Sequence, residues 1–502
     1  MKRLLLVAVL ALVLLAGSLG TAYAGPTDFA PYQNPPQVPP PSSPAVQAYL
    51  EGSSVTAEAG WIVVHLQGSP YEIGFQNGYL TAQSADYTMQ NIYGPPGKFR
   101  SYVQKVARYI WPLVPAEYQQ ELKGIADGMH AAGYKQDSLW DVVALNALMD
   151  GPCYAELLPP NDPTSAAAAA AVVAARTKFG GSCSAFIATG DATADGRPVM
   201  GHDTWLPYAW CFTMNVMYYV DPDAGYDFTY QSCGGLIWSG MDWYENSAGL
   251  LMTETTLADS TYTPTGTPVF VRARQVAQYA ATVGQAVSIL RTDNNGAYSN
   301  EWLIGDASGR IASLQLGDKA YDLNTTRNGF FGSSNFVWGP NARAEQIAAG
   351  VEAEPYDPAA VSYARYLRWG QLRDRYWGRI DARIGRTMLS DTYDSFVGAE
   401  LPDARCLCGE PEYFTPGLLD WDLGVVLTPV GAFDGKVCTE RMARNGLQSW
   451  ACWGRGSGDH FDAAAFLDAN PTWAGDWGPL GVFGLLTYSA QSTDSWVLLK
   501  DD

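Results

Sequence analysis

The chain has 502 residues, 47% of them hydrophobic and 16% charged, and its 51 acidic residues against 31 basic ones give a net charge of −20. This composition is that of a well-cored globular protein and not a disordered one. The acidity argues against nucleic acid and anionic membrane as main partners, because both are polyanions.

Residues 1–24 read as a secretory signal: Lys2-Arg3, an apolar run from Leu4 to Leu15, and the small-x-small site Ala22-Tyr23-Ala24. Its removal takes away two basic residues and no acidic one, so the net charge moves from −20 to −22. The apolar run is short for a bilayer, and no later run reaches the length of a membrane helix. A soluble, exported protein without an integral membrane segment is therefore expected, extracellular or periplasmic, or in a lysosome-like compartment if the source is eukaryotic. Residues 25–54 form a Pro-rich leader (Pro35-Pro36, Pro39-Pro40-Pro41, Pro44) without a core of their own.

Residues 55–158 read as a mostly helical segment. A strand at 60–66 is ended by Gly68 and Pro70, and the run from Ser69 to Gly78 opens a helical stretch. Helical periodicity then dominates 97–150, with Tyr102, Val106, Tyr109, Ile110 and Leu113 along one side, then Leu122, Ile125, Ala126 and Met129. An Ala-rich connector spans 159–182, with Ala166 to Ala171 at its centre and the open backbone Gly180-Gly181-Ser182 at its end.

From Cys183 the texture turns to strands, at 183–189, 210–220, 226–231, 235–238 and 248–253. A helix at 269–291 follows Pro268, then strands at 302–306 and 310–316, a helical stretch at 357–395, a short helix at Asp462–Ala469 and a last strand near Ser495–Leu499. Strands, then helices, then strands indicate an α+β fold and not a regular βαβ alternation. Residues 183–502 make up the portion expected to carry the chemistry.

Eight cysteines in an exported chain should mostly pair. Cys438 and Cys452 could close a loop, and Cys211 and Cys233 could cross-link adjacent strands, whereas Cys406 and Cys408 are too close for an easy mutual disulfide. The four histidines (His65, His130, His202, His460) do not stand at ligand spacing from a cysteine pair, so no metal and no cofactor is expected.

Cys183 heads a strand directly after a disposable linker, the arrangement of a self-processing precursor. Cleavage between Ser182 and Cys183 would give the cysteine a free α-amine, able to act as general base for its own thiol. Taken alone, the local pattern fits a buried cysteine or half of a disulfide better. His202-Asp203-Thr204-Trp205 lies a hairpin away, so His202 or Asp203 could stand beside the thiol; the same residues fit a plain strand end. Thr255 and Thr256 end a strand and could face a cleft with Trp205 to bind substrate, although threonine pairs in strands are usually structural. Asn335, in Ser333-Ser-Asn335-Phe336, is a suitable oxyanion donor. Arg365 and Arg368 share a helical run whose usual role is a solvated face.

Several segments in shared order resemble the phospholipase B-like family, within the N-terminal-nucleophile hydrolases that include penicillin-type acyltransferases and acylases. They are Gly68 to Gly78, Cys183-Ser-Ala-Phe-Ile with His202-Asp203-Thr204-Trp205, Gly235 to Asp242, Ser247 to Thr256, Asn300-Glu-Trp-Leu-Ile, and Asp434-Gly-Lys-Val437 with Met442-Ala443. The resemblance implies a four-layer αββα sandwich, autocatalytic cleavage before Cys183, and an N-terminal fragment that stays bound to the rest. It implies Cys183 as nucleophile and base, a site lined by His202, Asp203 and Trp205, Asn335 as oxyanion donor and Arg365 as supporting cation. Asp203 stands where phospholipase B-like proteins usually show Asn, a difference closer to the acylase branch. The function expected is a secreted, self-processing hydrolase of amide or carboxylic ester bonds in a small acyl or lipid substrate. The alternatives are an acylase for small N-acyl compounds and a non-catalytic secreted binding protein.

Overall fold

A computed structural model describes residues 37–93, 96–154, 183–211, 213–258, 261–351, 354–414, 430–469 and 496–501. The signal, the first part of the Pro-rich leader (25–36) and the connector up to Ser182 lie outside the described residues.

Two large sheets organise the chain. The first has nine strands in the order β1 (Ser54–Glu58), β2 (Trp61–Gly68), β6 (Val216–Pro222), β7 (Phe228–Ser232), β8 (Trp243–Asn246), β9 (Leu251–Thr256), β10 (Asn300–Gly305), β11 (Ile311–Leu316) and β12 (Tyr321–Thr326). The second has six: β13 (Gly329–Ser333), β3 (Ser184–Gly190), β4 (Gly196–Asp203), β17 (Asp434–Thr439), β18 (Ser449–Trp453) and β19 (Trp496–Leu499). Two short pairs remain, β14 (Tyr393–Asp394) with β15 (Ala399–Glu400) and β16 (Val430–Ala432) with β5 (Trp205–Pro207). Among the pairings described, β2 with β6 alone is parallel, running from Ile62 opposite Val216 to Gly68 opposite Pro222. That pairing builds the segment before the connector into the same sheet as the segment after it. Antiparallel sheets with helices between runs of strands make this an α+β fold.

The central strands of the second sheet are buried on both faces, which is why β3 reads Ser-Ala-Phe-Ile-Ala without polar alternation. Ala185 and Ile187 of β3, Met200 of β4 and Cys438 of β17 join the large core with Leu251, Leu303 and Ile311 of the first sheet. The alternate residues Phe186, Ala188, Val199 and Val437 pack with Trp369, Leu372, Ile384, Met388 and Leu389 from the helices Val361–Tyr376 and Ala382–Leu389.

The helix Pro70–Leu80 starts on a reciprocal cap in which the Ser69 N–H and Oγ both donate to Glu72 Oε2. It crosses the helix Ala116–Ala131 at glycines: a Cβ on Gly74 would fall 1.9 Å from Glu121 O, and one on Gly124 would fall 2.2 Å from Tyr71 O. Only glycine permits that approach.

The structure departs from several sequence expectations. The helix expected at 269–291 is two, Val269–Tyr279 and Val283–Arg291. Asn246 Nδ2 takes the Ala277 and Ala280 carbonyls, and Thr282 caps the second helix through the Gln285 N–H. The stretch 357–395 is likewise two helices, parted by Gly378 at φ 76° and the Asp381 cap on Ile384. Residues 235–238 are a turn, not a strand, with Gly235 at φ 79°. Tyr208–Cys211 is a helix where a strand was expected to begin.

No disulfide forms, and all eight cysteines are buried. Cys452 lies opposite Gly435 on β17, three residues from Cys438, so Cys438 and Cys452 project from opposite faces of the sheet. Cys211 ends a short helix, so it is not on a strand beside Cys233.

Candidate active site

The antiparallel hairpin β3–β4 sets Ser184 opposite Asp203 and Ala185 opposite His202, and β17 sets Lys436 on the other side of His202. Cys183 therefore stands at the mouth of the hairpin, level with Thr204 and Trp205. Its Sγ is buried, 3.9 Å from Asp242 Oδ2 and 4.0 Å from the Trp205 carbonyl. His202 Nε2 approaches the same Asp242 oxygen at 3.9 Å. Thiol, imidazole and carboxylate thus converge between the two sheets.

Asp242 is held there by a strained turn. Its φ is 62°, a left-handed value rare for a residue with a Cβ. Ser239 Oγ accepts from the Met241 and Trp243 N–H groups at 3.1 and 3.0 Å, and Thr253 Oγ1 donates to the Asp242 carbonyl at 2.5 Å. These bonds on both sides fix the conformation. Asn335 is a second left-handed residue, at φ 66°, just after β13. Asparagine tolerates this region because its short polar side chain bonds locally. Asn335 Nδ2 donates to the Thr256 carbonyl at 2.8 Å, and its own N–H donates to Thr255 Oγ1 at 3.3 Å.

Arg365 ties these parts together. Its Nη1 donates to the Cys183 carbonyl at 2.7 Å and its Nη2 to Asn335 Oδ1 at 3.0 Å. The guanidinium carbon also stands 5.2 Å from the Trp205 ring centroid. Arg365 is fully buried, and burial pushes its pKa down to about 10 against the opposing pull of Glu354, so it stays charged at neutral pH. The expectation of a solvated face fails for both helical arginines: Arg368 grips Asp391 with two hydrogen bonds of 2.8 and 2.7 Å.

Burial dominates the electrostatics. It pushes the Cys183 thiol well above its ordinary pKa, and the Asp242 carboxylate adds to the rise. It pushes His202 well below its ordinary value, aided by the Lys436 ammonium, so the imidazole is neutral. Burial and the neighbouring Glu254 raise Asp242 in turn. Lys436 is wholly buried and bonds both Asp434 oxygens at 2.9 Å and Thr204 Oγ1 at 2.7 Å. The Thr204 N–H donates back to Asp434 Oδ1 at 2.9 Å, which locks the residue between His202 and Trp205.

Cys183, His202, Trp205, Asn335 and Arg365 are brought together. Asp203 is not. As the strand neighbour of His202 it points to the opposite face of β4. There a Cβ on Gly435 would lie 3.1 Å from its Oδ1. Neither Asp203 oxygen has a hydrogen-bond partner among the described residues, and burial, then Asp434, pushes its pKa well above the carboxylate range. Thr255 and Thr256 are near, but their hydroxyls are engaged: Thr255 Oγ1 with Ser333 Oγ at 2.5 Å, and Thr256 Oγ1 with Tyr298 OH at 2.5 Å. They hold Asn335 in place. Ser182 lies outside the described residues. The sequence reading assigned no role to Asp242, Glu254 or Lys436. Lys436 carried a signal, a lysine two residues after Asp434 in the strand Asp-Gly-Lys-Val-Cys-Thr, and Asp242 closed the segment Gly235 to Asp242.

Comparison with known proteins gives four findings. An uncharacterized protein of Archaeoglobus fulgidus is 31% identical over 267 residues, which cover 50% of this chain and 42% of that protein, so the chain spans about two-fifths of its curated relative. Among solved structures, penicillin V acylase from Agrobacterium tumefaciens aligns at 15% identity and a TM-score of 0.32, over 54% of this chain and 83% of that one. A mutant conjugated bile acid hydrolase from Clostridium perfringens aligns at 10% identity and a TM-score of 0.29, over 53% of this chain and 88% of that one. Residues 61–320, more than half of the chain, match the family model for phospholipase B, and the chain belongs to that family.

Proposed function

We propose that this protein is an exported cysteine hydrolase of acyl bonds, amide or carboxylic ester, activated by cleavage of its own chain between Ser182 and Cys183. Family membership supports a hydrolase. The observation that carries the mechanism is the position of Cys183 at the head of β3, with Asp242 at 3.9 Å from its sulfur and Arg365 linking its carbonyl to Asn335.

In this reading the Cys183 sulfur attacks the substrate carbonyl while the α-amine freed by cleavage takes the thiol proton. The tetrahedral oxyanion meets the second N–H of the Asn335 amide, the one not given to Thr256. The carbon–nitrogen or carbon–oxygen bond breaks, the leaving group carries off the proton from the amine, and water hydrolyses the thioester. Raised by burial, the thiol needs such a base, because little thiolate forms unaided. The fold in this reading is an αββα sandwich of the N-terminal-nucleophile kind, supported by two packed sheets and the helices Val361–Tyr376 and Ala382–Leu389 against the second, with the parts before and after the connector remaining as two bound fragments.

The test is hydrolysis of a panel of acyl amides and lysophospholipids by the purified protein and by Cys183→Ala. The proposal requires turnover of at least one class by the native chain and none above background by the variant. Equal turnover by both would overturn it. A small N-acyl compound turned over in preference to the lipids would select the acylase reading.

A further inference from the structure

Cys183, His202 and Asp242 each offer one donor atom, and the three donors lie within 4.8 Å of one another. Two of the separations, Sγ to Oδ2 and Nε2 to Oδ2, are 3.9 Å. A tetrahedral zinc, with bonds of about 2.3 Å to sulfur and about 2.0–2.2 Å to nitrogen and oxygen, places its ligand atoms roughly 3.4–3.6 Å apart. The two shorter separations need to close by only a few tenths of an ångström, within the reach of side-chain rotation.

His202 Nε2 is buried and has no hydrogen-bond partner among the described residues, although it points at the thiol and the carboxylate. Its other nitrogen, Nδ1, is 3.5 Å from Thr204 Oγ1, a hydroxyl fixed in turn by Lys436. A proton on Nδ1 shared with Thr204 leaves the Nε2 lone pair facing the cluster, the outer-sphere arrangement that orients metal-ligating histidines. Charge points the same way. The thiol and the carboxyl, once deprotonated by a bound metal, would carry two negative charges, which a divalent cation cancels, and the nearby Lys436 is already balanced by Asp434. The donor set of sulfur, imidazole and carboxylate suits zinc and its borderline relatives over calcium or magnesium.

We propose that Cys183 Sγ, His202 Nε2 and Asp242 Oδ2 form a site for a zinc-class divalent cation, which masks the thiol when bound. Binding forms bonds from the metal to sulfur, nitrogen and oxygen and releases to solvent the thiol proton and any proton held by the Asp242 carboxyl, with no redox change. The fourth position is open to water or to the α-amine of Cys183. The inference rests on this geometry and does not depend on the hydrolase reading. The sequence hid it because the cysteine and histidine lie on opposite strands of a hairpin and not at finger-like spacing.

The test uses the full chain stripped with a chelator and titrated with cobalt(II), then zinc. A sulfur-to-cobalt charge-transfer band saturating at one equivalent and erased by zinc is expected in the native chain. Zinc should slow alkylation of Cys183, with full recovery on chelation. Cys183→Ala should lack the band, and His202→Gln and Asp242→Asn, which keep the thiol, should bind zinc at least about a hundredfold more weakly, beyond the loss typical of an outer-sphere partner. Absence of the band in the native chain, its persistence in Cys183→Ala, or native zinc affinity in both thiol-retaining variants would overturn the site. A protein cut before Cys183 that shows no cobalt band would lose the metal site and leave the hydrolase reading intact.

Discussion

The Arg365 guanidinium bonds the Cys183 carbonyl at 2.7 Å and Asn335 Oδ1 at 3.0 Å from two arms of one rigid plane. Lysine keeps the charge but is a point donor on a flexible stem and cannot span both acceptors. Arg365→Lys should therefore lose one charge-assisted hydrogen bond, worth about 1.5–3 kcal/mol, and Arg365→Met should lose both, about 3–6 kcal/mol. The loss can be assigned by a cycle with Asn335→Gly, which removes the Oδ1 acceptor while leaving a backbone that adopts φ 66° without strain. If the two side chains act on each other, the four proteins should show a coupling energy of at least about 0.5 kcal/mol, within the usual range of roughly 0.5–3 kcal/mol for touching residues. The assay is denaturant unfolding of each protein, with acyl hydrolysis measured in parallel. A loss of Asn335 placement equal to 1.4 kcal/mol in the transition state would show as about a tenfold fall in kcat. Additive stabilities, or an Arg365→Met variant no weaker than Arg365→Lys, would refute the idea that this guanidinium joins the nucleophile to the oxyanion donor.

Glu245 is buried with its pKa raised to about 8, chiefly by desolvation. A raised folded pKa means that stability is complete below the unfolded value near 4.5 and falls as pH climbs toward 8. Native protein should lose stability relative to Glu245→Gln across that window, by at most about 1.4 kcal/mol per pH unit, and parallel unfolding profiles from pH 5 to 8 would contradict the assignment. Two glycines should respond in opposite directions to alanine. Gly124→Ala sets a Cβ 2.2 Å from Tyr71 O and should cost about 1–3 kcal/mol or more. Gly370→Ala, in the helix Val361–Tyr376 with nothing within 4 Å, should gain about 0.5–1 kcal/mol. Thermal melts of the pair check both, and a shift of the same sign in each would refute the packing argument.

What was legible in the sequence was local. The helix opening at Ser69, the strand after Cys183 and the turn to His202 are written in neighbouring residues, and the α+β order follows from them. The helix breaks at 280–282 and 377–381 were hidden because their causes, the Asn246 side chain and the caps at Thr282 and Asp381, compete with an unbroken apolar period. At the site, Cys183, His202 and Asn335 were candidates by residue type and position, while the roles of Trp205 and Arg365 came from the family resemblance alone. Asp203 was placed with His202 because adjacency in sequence suggests adjacency in space, and in a strand it means the opposite. Asp242 and Lys436 come to the thiol through the pairing of distant strands and a left-handed turn, neither of which a single sequence displays. The disulfides expected from export were ruled out by register, as Cys438 and Cys452 show.

The central claim is that Cys183 is made the first residue of a chain by its own chemistry. Intact mass and N-terminal sequencing of the purified protein under denaturing conditions, beside Cys183→Ala, test it most directly. Two fragments are expected from the native chain, one beginning at Cys183, and an uncut chain from the variant. A native chain left whole, or a variant cut at the same bond, would contradict it.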